Sequence, residues 1–362
     1  MEINQIKFDC KYFKGEVPCV PNKLRNKVCD SCDEYSQIKT RILIIKLGAL
    51  GDVIRTTPLI AGFRKQYPHC HITWVTLSPE ILPKNHIDKI YKFGFDAVYA
   101  LKHQQFDIAI NLDKEIDACS LLTDVKAEKK LGFIWKDHHV DAATPDAKHK
   151  LITGLFDNIS KQNKKNYLEE IFEICQLKFE GEEYLLNVND KLVEKWNLLK
   201  EKSDKKKIIG LNTGCGKRWQ TRMWSSEYWA GLIMRLQKNG YYPVVLGGTD
   251  EDEMNKQYSA RTGVYYPGTF SLEEFIALTA SCDVVVSAVS MMMHIAIGLK
   301  KPLILFNNIF NEHEFHLYGR GEVVSPTTGC DCFYGNTCTR SNHCMNDLPV
   351  DIVYNAVVKH AQ

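Results

Sequence analysis

The apolar positions of the chain fall into short, nearly continuous runs separated by polar and glycine-containing stretches, and the first run sets the pattern. Residues 42–45 with Leu47 form a β-branched and leucine run that reads as a strand buried on both faces of a parallel sheet. Gly48 and Gly51 then fall in a short turn, Asp52 stands where the next segment begins, and Leu59, Ile60 and Phe63 continue at helical spacing. Strand, glycine turn and helix in this order bring backbone N–H groups and a helix N-terminus to the carboxyl edge of a sheet, where open α/β folds hold anionic ligands. A tight turn capped by an aspartate would look the same, but it has little need of the ionisable triplet Lys46, Asp52 and Arg55.

The alternation of strand and helix continues. Residues 71–76, 96–101 and 106–113 read as further buried strands, with helical or loop segments such as 81–93 between them. Asp113 and Lys114 end the third of these and are expected to face the same crevice as Asp52, although a plain loop carboxylate remains the competing reading of Asp113. Residues 133–165 are polar, rich in His and Lys and without a strong period, and are expected to rim an acceptor side. The pattern then predicts a helix over 167–177, a short strand over 184–188 and a helix over 190–202, before the charged run 201–207 marks a junction.

The second half repeats the logic of the first. Residues 207–214 predict a strand that ends in a glycine-rich loop carrying Lys217, Arg218 and Arg222, cations of the kind that neutralise a diphosphate. A capped helix over 226–239 and a strand and turn over 241–253 follow; Asp250 or Glu251 after the paired glycines would accept hydrogen bonds from ribose hydroxyls, though acidic residues also suit a helix N-terminus. A helix capped at Ser271 leads into a strand over 283–288. Ser290 and His294 then share one helical face at i, i+4, while the methionines at 291–293 are expected partly in the core. An amphipathic helix over 349–360 closes the chain.

This is an α/β chain of two doubly wound, Rossmann-like domains, 39–203 and 204–362, preceded by a cysteine-rich module of residues 1–38. A length of 362 residues with 44% hydrophobic content suffices for two cores. The net charge of +2 gives no push toward nucleic acid. No apolar run approaches the roughly 18–20 residues of a membrane span, and the first residues lack the basic-then-apolar order of a signal peptide, so a cytoplasmic protein is expected.

In a reducing compartment, 13 cysteines favour metal ligation over disulfides. Cys10, Cys19, Cys29 and Cys32 are separated by eight, nine and two residues in a segment too polar to bury a core, and four thiolates around Zn²⁺, or iron, would hold it. Unligated cysteines are the alternative. A second group, Cys330, Cys332, Cys338 and Cys344 with His343, is more loosely spaced, and metal or plain sulfur packing both remain open.

The run KLGALGDVIRTTPL at 46–59 resembles the N-terminal signature of the family 9 glycosyltransferases, the lipopolysaccharide heptosyltransferase family, and the likeness continues with gaps from about Arg41 to the C-terminus. The resemblance implies a GT-B fold, two Rossmann-like domains facing a cleft, with the acceptor on the N-terminal domain and the sugar nucleotide on the C-terminal one. It implies Asp52 as general base with Lys46 and Arg55 flanking the reacting centre, and Gly51 and Asp113 on the acceptor side. Thr213, Gly214 and either Lys217 or Arg222 would serve the diphosphate, Asp250 the ribose, and Ser290 and His294 the donor-site helix.

The implied reaction is inverting transfer of heptose or a related sugar from a nucleoside-diphosphate donor to a lipopolysaccharide or other cell-surface glycan or glycolipid. No catalytic cofactor is needed, and the protein would work in the cytoplasm or in peripheral contact with the inner face of the cytoplasmic membrane. Where the family reads roughly D-S-G-x-x-H, residues 289–294 read Val-Ser-Met-Met-Met-His, so the resemblance does not fix ADP-heptose as the donor. The alternative is a non-catalytic GT-B-fold binding or assembly protein with metal-bound cysteine clusters. A GT-B epimerase or phosphorylase would leave the Asp52 and Arg55 turn unexplained.

Overall fold

A computed structural model describes residues 2–216 and 218–362. The chain divides into two compact units: Met1–Gly48, Thr56–Leu151 and Ile171–Glu182 make the first, and Ala49–Arg55, Ile152–Glu170 and Glu183–Gln362 the second. These limits differ from boundaries drawn at 38 and 203 on linker composition. Residues 1–38 group with the first sheet, and the turn that carries Asp52 groups with the second unit.

The first unit is built on six strands, β1 (Thr40–Ile45), β2 (Cys70–Thr76), β3 (Lys89–Lys92), β4 (Gln105–Asn111), β5 (Lys126–Lys136) and β6 (His139–Ala142), in the order β3-β2-β1-β4-β5-β6. All neighbours are parallel except β5 and β6, which form a hairpin. Central β1 is covered on both faces, which is why Ile42, Leu43, Ile44 and Ile45 are all fully buried. The order reverses between β1 and β4, so the turns after these two strands meet at the switch point.

Two expectations fail in this sheet. Residues 96–101 are not a strand but part of the helix Phe95–Lys102, with Ala97 and Leu101 buried at i, i+4 while Phe95 and Tyr99 face solvent. The strand in that region is β3, inside the stretch read as helix or loop, a short polar edge strand with no fully buried residue to announce it. The helix Tyr167–Ile174 lies where the sequence predicts it.

The second unit has five parallel strands, β7 (Ile208–Asn212), β8 (Tyr242–Leu246), β9 (Val284–Ala288), β10 (Leu303–Phe306) and β11 (Gly321–Val324), ordered β11-β10-β9-β7-β8. Trp224 packs edge to face on Trp229 and Phe306 at 5.1 and 5.0 Å in its core, and Trp229 and Phe306 lie tilted to each other at 5.4 Å. The helix Ser226–Lys238 is capped by Ser225, whose hydroxyl accepts the Tyr228 N–H, and Ser271 caps Leu272–Ala280 in the same way. Residues 184–188 form no strand, and 190–202 is two helices, Asp190–Trp196 and Leu198–Lys202. The order of this sheet reverses between β7 and β9, which sets the loops after these strands side by side. Among the described residues, no helix is long and apolar enough to cross a membrane.

Candidate active site

The site of the second unit grows from the β7/β9 switch point. Asn212, at the end of β7, donates from Nδ2 to Ser287 Oγ of β9 at 3.1 Å and to the Gly214 carbonyl at 2.9 Å, tying the glycine loop to the neighbouring strand. Beyond it opens a cavity of about 520 Å³ between the loop at 214–216, the turn at 247–251 and the first turn of the helix Met291–Gly298. One wall is apolar, from Phe270, Phe275 and Met292. Another carries Asp250 and Glu251, and Glu251 Oε2 accepts the Gly248 N–H at 2.9 Å. A Cβ on Gly214 would stand 2.1 Å from Glu251 Oε1, so only glycine lets this carboxylate lie against the loop.

A second cavity of about 490 Å³ shares Leu50, Arg222, Ser290 and Met291 with the first. Its chemistry comes from Asp52, Arg55, His294 and Glu314. Asp52 lies in the first turn of the helix Leu50–Thr56, and its Oδ1 pairs with Arg55 Nη2 at 2.7 Å across i, i+3. Arg55 in turn sits over the ring of Tyr167, 3.5 Å from its centroid. Burial works against the Arg55 charge, but Asp52 and its other neighbours outweigh it and hold the guanidinium above its ordinary pKa.

His294 is buried beside this pair and stacked on Tyr184 at 6.1 Å. Burial first, and then the Arg55 cation, push its pKa down to about 3. The imidazole is therefore neutral at ordinary pH, and its Nδ1 is buried without a hydrogen-bond partner among the described residues. A neutral ring adds no charge of its own to this cavity.

Those cations divide their work. Arg222 is almost wholly buried and donates from Nε to the Trp219 carbonyl at 3.1 Å and from its two terminal nitrogens to the carbonyls of Val289 and Cys215. It thus holds the loop to the turn before the Met291–Gly298 helix, and with five N–H donors it keeps two for a ligand. Arg218 lines the Asp52 cavity. Lys217 lies outside the described residues. Thr213 spends its buried hydroxyl on Asn255 Oδ1 at 2.6 Å, an internal tie. Ser290 precedes the Met291–Gly298 helix as its N-terminal boundary and meets Ser287 Oγ at 3.2 Å.

Two residues expected near the chemistry belong to the first unit. Lys46 and Asp113 form a buried ion pair across the β1/β4 switch point, and Asp113 also accepts the Leu47 N–H. Burial raises the Asp113 carboxyl above its usual range against the pull of Lys46. Sequence reading did not point to Glu314, Tyr334, Phe310, Tyr167 or Tyr184. None sits in a motif. The aromatic residues carry no signal beyond core propensity, and only the charge of Glu314 beside an apolar run hints at a role.

The cysteines reverse their expected order. The sulfurs that come within 4.8 Å of one another are those of Cys330, Cys332 and Cys344, a group that can hold a metal. The N-terminal four line one small cavity of about 30 Å³, but form no such close group among the described residues. Spacing along the chain does not by itself bring sulfurs together: the loop between β11 and the last helix gathers three of its cysteines, whereas the N-terminal four share a cavity without such close approach among the described residues.

Comparison with known proteins gives a consistent result. The model of Glycosyltransferase family 9 (heptosyltransferase) matches residues 96–324, more than half of the chain. A curated relative, the lipopolysaccharide core heptosyltransferase OpsX of Haemophilus influenzae, is 27% identical over 109 residues, covering 27% of this chain and 31% of that protein. The match therefore spans less than two thirds of the relative. Among solved structures, a family 9 glycosyl transferase from Veillonella parvula aligns with a TM-score of 0.67 at 19% identity, covering 89% of this chain and 97% of that one. The ADP-heptose lipopolysaccharide heptosyltransferase II of E. coli aligns with a TM-score of 0.65 at 16% identity, covering 89% and 98%. The shared feature is the fold, α/β with parallel sheets.

Proposed function

The chain belongs to glycosyltransferase family 9, and we propose that it moves a sugar from a nucleoside-diphosphate donor to a glycan or glycolipid acceptor with inversion at the sugar carbon, Asp52 acting as general base. The observation that carries this reading is the carboxylate of Asp52, fixed by Arg55 on the wall of a cavity that shares four residues with a nucleotide-sized neighbour. The larger cavity takes the nucleoside: Phe270, Phe275 and Met292 against the base, Asp250 or Glu251 against the ribose.

In the reaction an acceptor hydroxyl oxygen attacks C1 of the donor sugar while the bond from C1 to the diphosphate oxygen breaks. The hydroxyl proton passes to Asp52, and the electron pair of the broken bond leaves with the nucleoside diphosphate. Charge on the leaving group is met by the free N–H donors of Arg222, by Arg218, and by the N-terminus of the Met291–Gly298 helix. These groups stabilise the leaving group without a catalytic metal. Lys217 is a further candidate for the same charge. Lys46 and Asp113 serve the acceptor domain by fixing the turn after β1.

ADP is the first donor nucleotide to test, because the E. coli neighbour is an ADP-heptose enzyme. Val289, where the family has an acidic residue, argues for a sugar with fewer hydroxyls to be bound there. Peripheral membrane contact would use Ile152, Leu155, Phe156 and Ile159, exposed on the short helices Lys148–Leu155 and Asp157–Ser160 and the residue between them, next to the lysines at 161, 164 and 165. A structural Zn²⁺ or iron at Cys10, Cys19, Cys29 and Cys32 remains the proposal for the N-terminal cavity they line.

The test is a thermal-shift titration with ADP, UDP, GDP, CDP and dTDP, followed by transfer assays from the sugar nucleotides of the binding class. A selective shift by one nucleotide supports the donor site. No shift by any of them would return the chain to the class of non-catalytic binding proteins.

A further inference from the structure

Between β11 and the closing helix Val350–His360, residues 325–349 carry one short 3₁₀ turn, Cys344–Asp347, and otherwise no regular structure among the described residues. The segment is nonetheless packed into the core, with Cys332 and Cys344 buried. Sulfur gathers it. Cys330 Sγ stands 3.4 Å from Cys344 Sγ, Cys332 Sγ lies within 4.8 Å of both, and Cys338, partly buried against the same core, lies on the loop between Cys332 and Cys344. All four are free thiols.

Thiols are poor hydrogen-bonding partners for one another, and four of them in one place leave much of that capacity unused. Four thiolates around a tetrahedral ion, each at roughly 2.3 Å, would stand roughly 3.8 Å apart, the spacing this cluster already approaches. An all-sulfur set selects Zn²⁺ or Fe²⁺ over magnesium or calcium. We propose that Cys330, Cys332, Cys338 and Cys344 hold one thiophilic divalent ion, and that this ion positions the wall of the Asp52 cavity.

The connection runs through short paths. Tyr334 lies between Cys332 and Cys338 and lines the same cavity as Asp52. Its backbone is left-handed, with φ of 47°, a conformation that a tyrosine keeps only when its surroundings hold it. Its N–H donates to the Ile309 carbonyl at 2.9 Å, and its hydroxyl donates to Glu314 Oε1 at 3.1 Å, on the same cavity. The next residue, Gly335, accepts the Thr221 hydroxyl at 2.8 Å, which braces the loop that ends in Arg222. Asn308 adds a second tie, donating to Cys344 Sγ at 3.3 Å and to the Thr221 carbonyl at 2.7 Å. Tyr334 and Thr221 are thus positioning residues, set by the cluster behind them. The role in the wall rests on the assignment of the Asp52 cavity as catalytic; the ion does not.

The test uses the full chain. Elemental analysis of the purified protein is compared with that of Cys338→Ser and Cys344→Ser, and a fall of one ion per chain in both is expected, with the element distinguishing zinc from iron. Cobalt exchanged into the wild type should show the sulfur-to-cobalt charge-transfer absorption of a four-thiolate site, and Cys338→Ser should weaken it. Hydrogen exchange before and after chelation of the wild type reads the positioning: protection should drop at 333–335 and at 219–222. Unchanged metal content in both variants, or a Cys330–Cys344 disulfide found under reducing purification, overturns the ion. An ion whose removal leaves exchange at 219–222 unchanged overturns its role in the wall. Neither result bears on whether a nucleotide binds, so a failure here is separate from a failure of the proposed transfer.

Discussion

A Cβ placed on Gly51 would stand 2.5 Å from Cδ2 of His294, so the Leu50–Thr56 helix and the Met291–Gly298 helix meet at a point with no room for a methyl group. The His294 ring cannot yield easily, because it is buried and packed against Tyr184. Gly51→Ala should therefore destabilise the protein by about 1–3 kcal/mol, as overpacking does. Urea denaturation measures the loss. The double variant Gly51→Ala/His294→Ala should lose less than the sum of the single ones, since the second change removes what the first collides with; strict additivity would mean that the two do not press on each other.

Replacing Asp52 by Asn keeps the size of the side chain and removes its capacity to take a proton. Transfer should fall by about 10²–10⁴-fold while nucleotide affinity stays within a few-fold of wild type. Single-turnover transfer and equilibrium binding of ADP separate the two effects. Near-normal turnover in the variant would remove Asp52 from the role of base.

His294 gives the protein a pH dependence of definite sign. Its folded pKa is pushed down to about 3 from 6.5, so below 6.5 the unfolded chain takes up a proton that the folded chain refuses. The stability it supports is complete above 6.5 and is lost as pH falls toward 3. Between pH 7.5 and 5.0 the wild type should lose about 2 kcal/mol more than His294→Gln, because each pH unit below about 6.5 costs about 1.4 kcal/mol. Denaturation midpoints of both proteins at the two pH values check it, and parallel behaviour would show that the ring is solvated.

How far these features were legible depended on whether a residue's role is local. The buried strand β1 announces itself by an unbroken apolar run, and the turn behind it by Gly51, Asp52 and Arg55 at fixed offsets. Residues 96–101 were open to misreading because Ala97, Val98 and Leu101 suit a short strand as well as a helix face, and only tertiary packing decides. β3 has too few apolar residues to be seen, since an edge strand is held by its one neighbour, β2. Tyr334 and Glu314 reach the Asp52 cavity from loops more than 250 residues further along the chain, and no local pattern could place them there. The glycine loop was legible as a set of cations, but not that Arg222 would turn its guanidinium onto backbone carbonyls.

That turn yields the last prediction. Arg222 bonds the carbonyls of Cys215, Trp219 and Val289 with three nitrogens set in one plane, and burial already works against its charge. Lysine has one nitrogen at the end of a flexible stem, so it can satisfy at most part of this set while keeping the charge. If Arg222 acted only as a positive charge toward the diphosphate, Arg222→Lys would bind nucleotide almost as well as wild type. If it acts by holding the loop at 215–222 against the turn at 289–290, the same variant leaves buried carbonyls unpaired, at about 1–3 kcal/mol each, and the walls of both cavities shift together. The second outcome is expected: ADP affinity should fall about tenfold or more, thermal stability should fall with it, and Arg218→Ala, which removes an exposed cation without touching the loop's anchors, should weaken binding without a comparable loss of stability. Calorimetric titration of ADP beside thermal melts of both variants distinguishes the two, and an Arg222→Lys protein with unchanged melting would assign Arg222 to charge alone.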